Sequence, residues 1–161
     1  MDLVSVYTSQ FGASLRMLEQ ALQHGHAQGL WTAPAPVAPF WQVGYHALFY
    51  TDLYLCTNED HFRPRPFHLK DMPRLGQLEP ETPAPTLESL TDYIHWLRPE
   101  LPGRLKASGF EGPSGFPWIT AFGKLELHAY NLRHLQHHTG QLAERIRAAG
   151  GPPVKWVGLD H

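Results

Sequence analysis

Apolar residues recur along this chain at helical spacing, in four stretches separated by loops rich in proline and glycine. In the first, Tyr7, Phe11, Leu15, Leu18 and Leu22 follow one another at steps of four and three. Residues so spaced share one face of a helix, so the stretch predicts an amphipathic helix with a single buried stripe. It should end near Gly25 to Gly29. The segment Thr32 to Pro39 carries three prolines and cannot be helical through its length. A second helix is expected within Trp41 to Tyr54. Val43, Ala47, Tyr50 and Tyr54 form its stripe, and Leu48, Phe49 and Leu53 widen it, which predicts deep burial.

Residues 57–85 form a long connection rich in proline and charge. A loop of that length inside a domain is usually functional or mobile. Thr86, after Pro85, is the expected N-cap of a third helix with Leu87, Leu90, Ile94 and Leu97 as its stripe. Pro99 and Pro102 should kink or end it, although Leu101 and Leu105 suggest a helical piece beyond. Gly109 to Trp118 reads as a loop. The fourth helix is expected from about Thr120 to Ala149, stopped by Gly150, Gly151, Pro152 and Pro153. No stretch alternates with period two. The pattern therefore predicts an all-α four-helix bundle, one domain over residues 1–161, with a long Pro-rich connection between helices two and three.

Composition narrows the partners. With 161 residues, 42% of them hydrophobic, the chain can build one real core. The net charge is −2, and no basic block exceeds the Arg63/Arg65 pair, so nucleic acid is not an expected partner. No run approaches the roughly 20 apolar residues that cross a bilayer. Met1-Asp2-Leu3 lacks the start of a signal peptide. The single Cys56 cannot form an internal disulfide. A soluble cytoplasmic protein without a membrane partner is expected.

The candidate chemistry lies in histidine. The chain has 11, and His128, His134, His137 and His138 fall in one short segment of the fourth helix. His134 and His138 are four apart, about 40° in azimuth and about 6 Å in height, so two imidazoles could close on one ion. His134 and His137, three apart, could do the same. His138 is preferred, which leaves His137 as a flanking group or proton carrier. His46, on the apolar stripe of the second helix, is a candidate third ligand. Three neutral imidazoles would leave open positions on the ion, as catalytic sites require. His24, His26, His61, His68, His95 and His161 read as ordinary surface residues, and Cys56 as a small, partly buried thiol. Gly140, inside the helix, costs about 1 kcal/mol relative to alanine and calls for a reason such as close approach of another backbone. Gln141, one turn past His138, is placed to hydrogen-bond near the site. Two absences matter. His134 is followed by Leu135 and Gln136, so the His-Glu-x-x-His general base of zinc proteases is missing. No Glu-x-x-His occurs, which excludes the carboxylate cage of di-iron bundles.

Two motifs together, Trp41-Gln42-Val43-Gly44-Tyr45-His46-Ala47-Leu48 and Arg133-His134-Leu135-Gln136-His137-His138-Thr139-Gly140-Gln141-Leu142, resemble the DinB/YfiT-like superfamily of metal-binding four-helix bundles. The resemblance extends over nearly the whole chain in element order and is specific at these two motifs. It implies His46, His134 and His138 as ligands of a divalent ion. It also implies a metal-dependent transferase or isomerase that uses a low-molecular-weight thiol of the bacillithiol or mycothiol type, acting on an electrophilic small molecule, and commonly a homodimer. Zn, Ni and Fe all suit such a site. In the long connection, Phe62, Arg63, Arg65 and Phe67 are placed either to cover the site or to lie in solvent. Phe110, Phe116 and Trp118 are placed to line a pocket mouth or to pack the bundle end. Metal-assisted hydrolysis with water as nucleophile, and a non-catalytic dimeric bundle that binds a small ligand, are the alternative functions.

Overall fold

The computed structural model describes residues 2–79 and 81–160; His161 lies outside them. Four α-helices make up the architecture, with no strand among the described residues: α1 Leu3–Ala27, α2 Phe40–Tyr54, α3 Leu87–Ser108 and α4 Lys124–Ala148. Local chemistry sets the ends. Asp2 caps α1 by accepting from the Ser5 N–H, and Thr86 caps α3 by accepting from the Ser89 N–H at 3.0 Å. Pro39 precedes α2, where its missing N–H costs nothing.

Two sequence expectations need correction. Helix α3 is continuous through Pro99 and Pro102. Both prolines face solvent, so the carbonyls they leave free can meet water, while Leu97, Leu101 and Leu105 stay buried beneath them. Burial of that stripe outweighs two missing backbone hydrogen bonds. The fourth helix starts at Lys124, not at about Thr120. Residues 109–123 instead close a loop, where Pro113 and Gly123 form an isolated bridge and the Lys124 N–H bonds the Gly112 carbonyl at 3.0 Å.

The core gathers the four stripes into one cluster. Phe11, Leu15, Leu18 and Leu22 of α1 meet Val43, Ala47 and Leu48 of α2, and Leu90, Ile94 and Leu97 of α3. Helix α4 adds Leu135, Leu142 and Ile146. Helix α1 packs mainly on α3 and α4, and α2 mainly on α4. Gly44 lets α2 receive Leu22 of α1, since a Cβ there would stand 2.5 Å from a Leu22 methyl. A smaller cluster of Leu53, Tyr54, Phe116 and Leu127 closes one end of the bundle.

The connection between α2 and α3 is packed, not loose. Met72 is buried, and the Gln42 amide donates to the Met72 and Arg74 carbonyls at 3.2 and 2.8 Å. Phe67 lies against Tyr45 and Tyr93. Among the described residues, no helix is long and apolar enough to cross a membrane.

Candidate metal centre

Helices α2 and α4 bring His46, His134 and His138 together, so that one ring nitrogen from each lies within 4.8 Å of the other two. The Nε2 of His134 stands 2.9 Å from that of His46 and 3.1 Å from that of His138. The backbone does this simply. His134 and His138 are one turn apart on the face of α4 that packs on α2, and His46 sits opposite them.

The outer nitrogens decide what the inner ones offer. His46 Nδ1 lies 2.6 Å from the Pro73 carbonyl, which can only accept, so Nδ1 carries the proton and Nε2 presents a lone pair. His138 Nδ1 donates to Gln141 Oε1 at 2.9 Å, with the same consequence. His134 can place one proton on Nε2 and satisfy one of its two neighbours. The other contact then sets lone pair against lone pair. A cation among the three nitrogens relieves both contacts, and His134 Nδ1, buried without a hydrogen-bond partner among the described residues, can then hold the ring proton. The donor set therefore fits a divalent transition metal. At metal–nitrogen bonds of about 2.0–2.1 Å, ligands at right angles stand about 2.9 Å apart and tetrahedral ligands about 3.3 Å apart. The observed 2.9 and 3.1 Å fall at or between these spacings.

Burial keeps the rings neutral. Loss of solvent, with a smaller push from the neighbouring imidazoles, lowers His134 to about 3. His46 falls to about 4 for the same leading reason, partly offset by its bond to Pro73. His138 is also lowered by burial, against the bond to Gln141. Neutral imidazole is the form that binds metal.

The surroundings contain two groups that spacing alone did not reveal. Pro73, from the long connection, supplies the carbonyl that orients His46. Tyr50 packs its ring 4.8 Å from that of His46 and edge-on to His134 at 5.7 Å. The proline's role could not be read from a pattern, because a carbonyl leaves no mark in the sequence. Tyr50 was legible only as an apolar position one turn past His46.

His137 does not join the three inner nitrogens. It is exposed, and its Nε2 accepts from the Gln141 amide at 3.0 Å. Gln141 thus links His138 to His137. Gly140 has open space where a Cβ would be, so no backbone approaches it. Arg63 and Arg65 of the connection do not reach the three histidines. Arg63 bonds the Asp60 and Phe62 carbonyls, and Arg65 stacks over Trp96 at 4.5 Å. Phe62 packs edge-on against Phe49. Phe116 is buried at the bundle end, Phe110 packs on Tyr7 and His128, and Trp118 is 52% exposed. His68 is no free surface residue: it bonds the Tyr45 hydroxyl at 2.7 Å and stacks on Phe49.

Two cavities flank the histidines. One, of about 480 Å³, is lined by Tyr50, Pro73 and Arg74 among others. The other, of about 590 Å³, is lined by Val43, Leu75, His137 and Gln141 among others. The three histidines line neither of these two, but residues that touch them line both. Neither a family model, nor a curated protein, nor a solved structure matches the chain.

Proposed function

We propose that the chain is a divalent-metal-dependent enzyme of the DinB-like kind, one that transfers a low-molecular-weight thiol to an electrophilic small molecule. One observation carries this reading. Three Nε2 atoms converge, and at His46 and His138 the bonds of Nδ1 to Pro73 and Gln141 turn the Nε2 lone pair inward. His46, His134 and His138 would hold the ion. Because all three ligands are neutral, the ion would keep its full positive charge and favour the thiolate over the thiol. The chain's own residues do the rest. Pro73 and Gln141 fix the rings, and Tyr50 shields one side from water. His137, exposed beside the site, takes the proton that the thiol loses at Nε2 when that atom gives up its bond to the Gln141 amide. The sulfur electron pair forms a bond to the electrophilic carbon, and the leaving group departs with the electrons of the bond that breaks.

Two measurements test it. Elemental analysis should find near-stoichiometric divalent metal in the purified chain and almost none in His134→Ala. With metal loaded, bacillithiol and monochlorobimane should turn over faster than with His46→Ala. No metal after reconstitution with Zn or Ni, or equal turnover rates, would overturn the reading. A second reading, a non-catalytic bundle, draws on the fact that the histidines line neither flanking cavity. Metal without turnover of any electrophile favours it.

A further inference from the structure

The cavity beside Tyr50 is an open groove of about 480 Å³ with two kinds of wall. The first is aromatic. Phe49, Tyr50, Tyr54, Phe62 and Trp118 line it. Most of these rings are fixed: Phe62 meets Phe49 edge-on at 5.0 Å, and Tyr54 meets Phe116 edge-on at 5.3 Å. Trp118 differs. Its ring leans on Phe116 at 5.5 Å, yet half of the residue stays in water. A half-exposed indole at the rim of an aromatic wall leaves flat apolar surface for another ring to cover.

The second wall is cationic. Lys70 and Arg74 line the same groove, and Glu59 is the one carboxylate among its lining residues. Arg74 is partly neutralised by Asp71 at 3.7 Å, whereas Lys70 makes no ion pair with the described residues. The lining side chains therefore sum to one positive charge (two cations against one carboxylate) in a chain of net charge −2. Local charge opposite in sign to that of the whole molecule selects anions. The connection that carries both cations is also the one that brings Pro73 to His46.

We propose that this groove binds a flat aromatic carboxylate, its ring stacked on Trp118 and its carboxylate held by Lys70 and Arg74. Binding stands on the groove alone. That the ligand is a substrate rests on the enzyme reading above, through the wall that Tyr50 and Pro73 share with the histidines.

The test is calorimetric titration of the metal-free 161-residue chain with 2-naphthoate and, in parallel, with the uncharged 2-naphthalenemethanol. Metal-free protein is used so that no ion draws the carboxylate away. Naphthoate should bind saturably and roughly tenfold more tightly than the alcohol. The double variant K70Q/R74Q should lose that preference. Trp118→Ala should weaken both ligands roughly fivefold, with circular dichroism confirming an unchanged helical fold. Absence of saturable naphthoate binding, or a preference untouched by K70Q/R74Q, or affinity untouched by Trp118→Ala, would overturn the proposal. The two readings fail separately. Naphthoate binding without thiol transfer would leave the groove and remove the enzyme. Thiol transfer without naphthoate binding would do the reverse.

Discussion

Two clusters of buried polar side chains cross this bundle, and they are built in opposite ways. Around Asp52 both carboxylate oxygens have a donor. The carboxylate accepts from the Tyr93 hydroxyl at 2.5 Å and pairs with Arg104. Arg104 and Arg65 both lie over the Trp96 ring. Around His134 the groups that face one another are bases, with one proton at most to share. A closed network of donors and acceptors is complete in itself and contributes to holding the fold. A convergence of acceptors is complete only with a guest. Buried polarity alone therefore does not mark a site; the mismatch of its donors and acceptors does.

The largest expected effect follows acid. His46 and His134 fold with pKa values near 4 and 3, below the ordinary 6.5 that they recover on unfolding, and His138 is lowered too. Below pH 6.5 the unfolded chain thus binds protons that the folded chain lacks. Stability of the metal-free protein should be full above that pH and decline as pH falls toward 4. Urea midpoints across this range should show the decline, and His134→Gln should flatten it. A flat profile in the parent would mean that the three rings are solvated.

The next effect separates the clusters. Arg104→Ala leaves Asp52 buried without its cation, which should cost about 3 kcal/mol in urea unfolding. Metal stoichiometry should not change. Loss of metal in this variant would show that the two clusters are coupled. The smallest effect is on the shell of the histidines. Gln141→Ala frees the His138 ring and should weaken metal binding about tenfold, read by competition with a chromogenic chelator. Stability of the metal-free chain should barely move. Unchanged affinity would mean that Gln141 does not orient His138.

How much was legible beforehand follows from what each residue's partner is. His134 and His138 could be paired from spacing, because both lie on one helix and helix geometry is fixed. The stripes of α1, α2 and α3 were legible for the same reason. Pro99 and Pro102 do not end α3 as the local rule about proline allowed, because tertiary burial holds its stripe. The start of α4 was misplaced because the closing contact, Gly112 to Lys124, is made by backbone atoms. His68 was read as a surface residue, since its partner Tyr45 is 23 residues away.

By itself, then, the sequence determined four helical stretches, the N-cap of α3 at Thr86, the glycine stop that follows α4, and a pair of histidines on one face of α4. Those depend on periodicity and on neighbours within a turn. Only the tertiary structure decided that His46 meets the pair, that Pro73 and Gln141 turn the lone pairs inward, and that Asp52 finds Arg104. Each of these depends on the direction of one atom relative to another from a distant segment or an adjacent turn, which a pattern of apolar and polar letters does not specify.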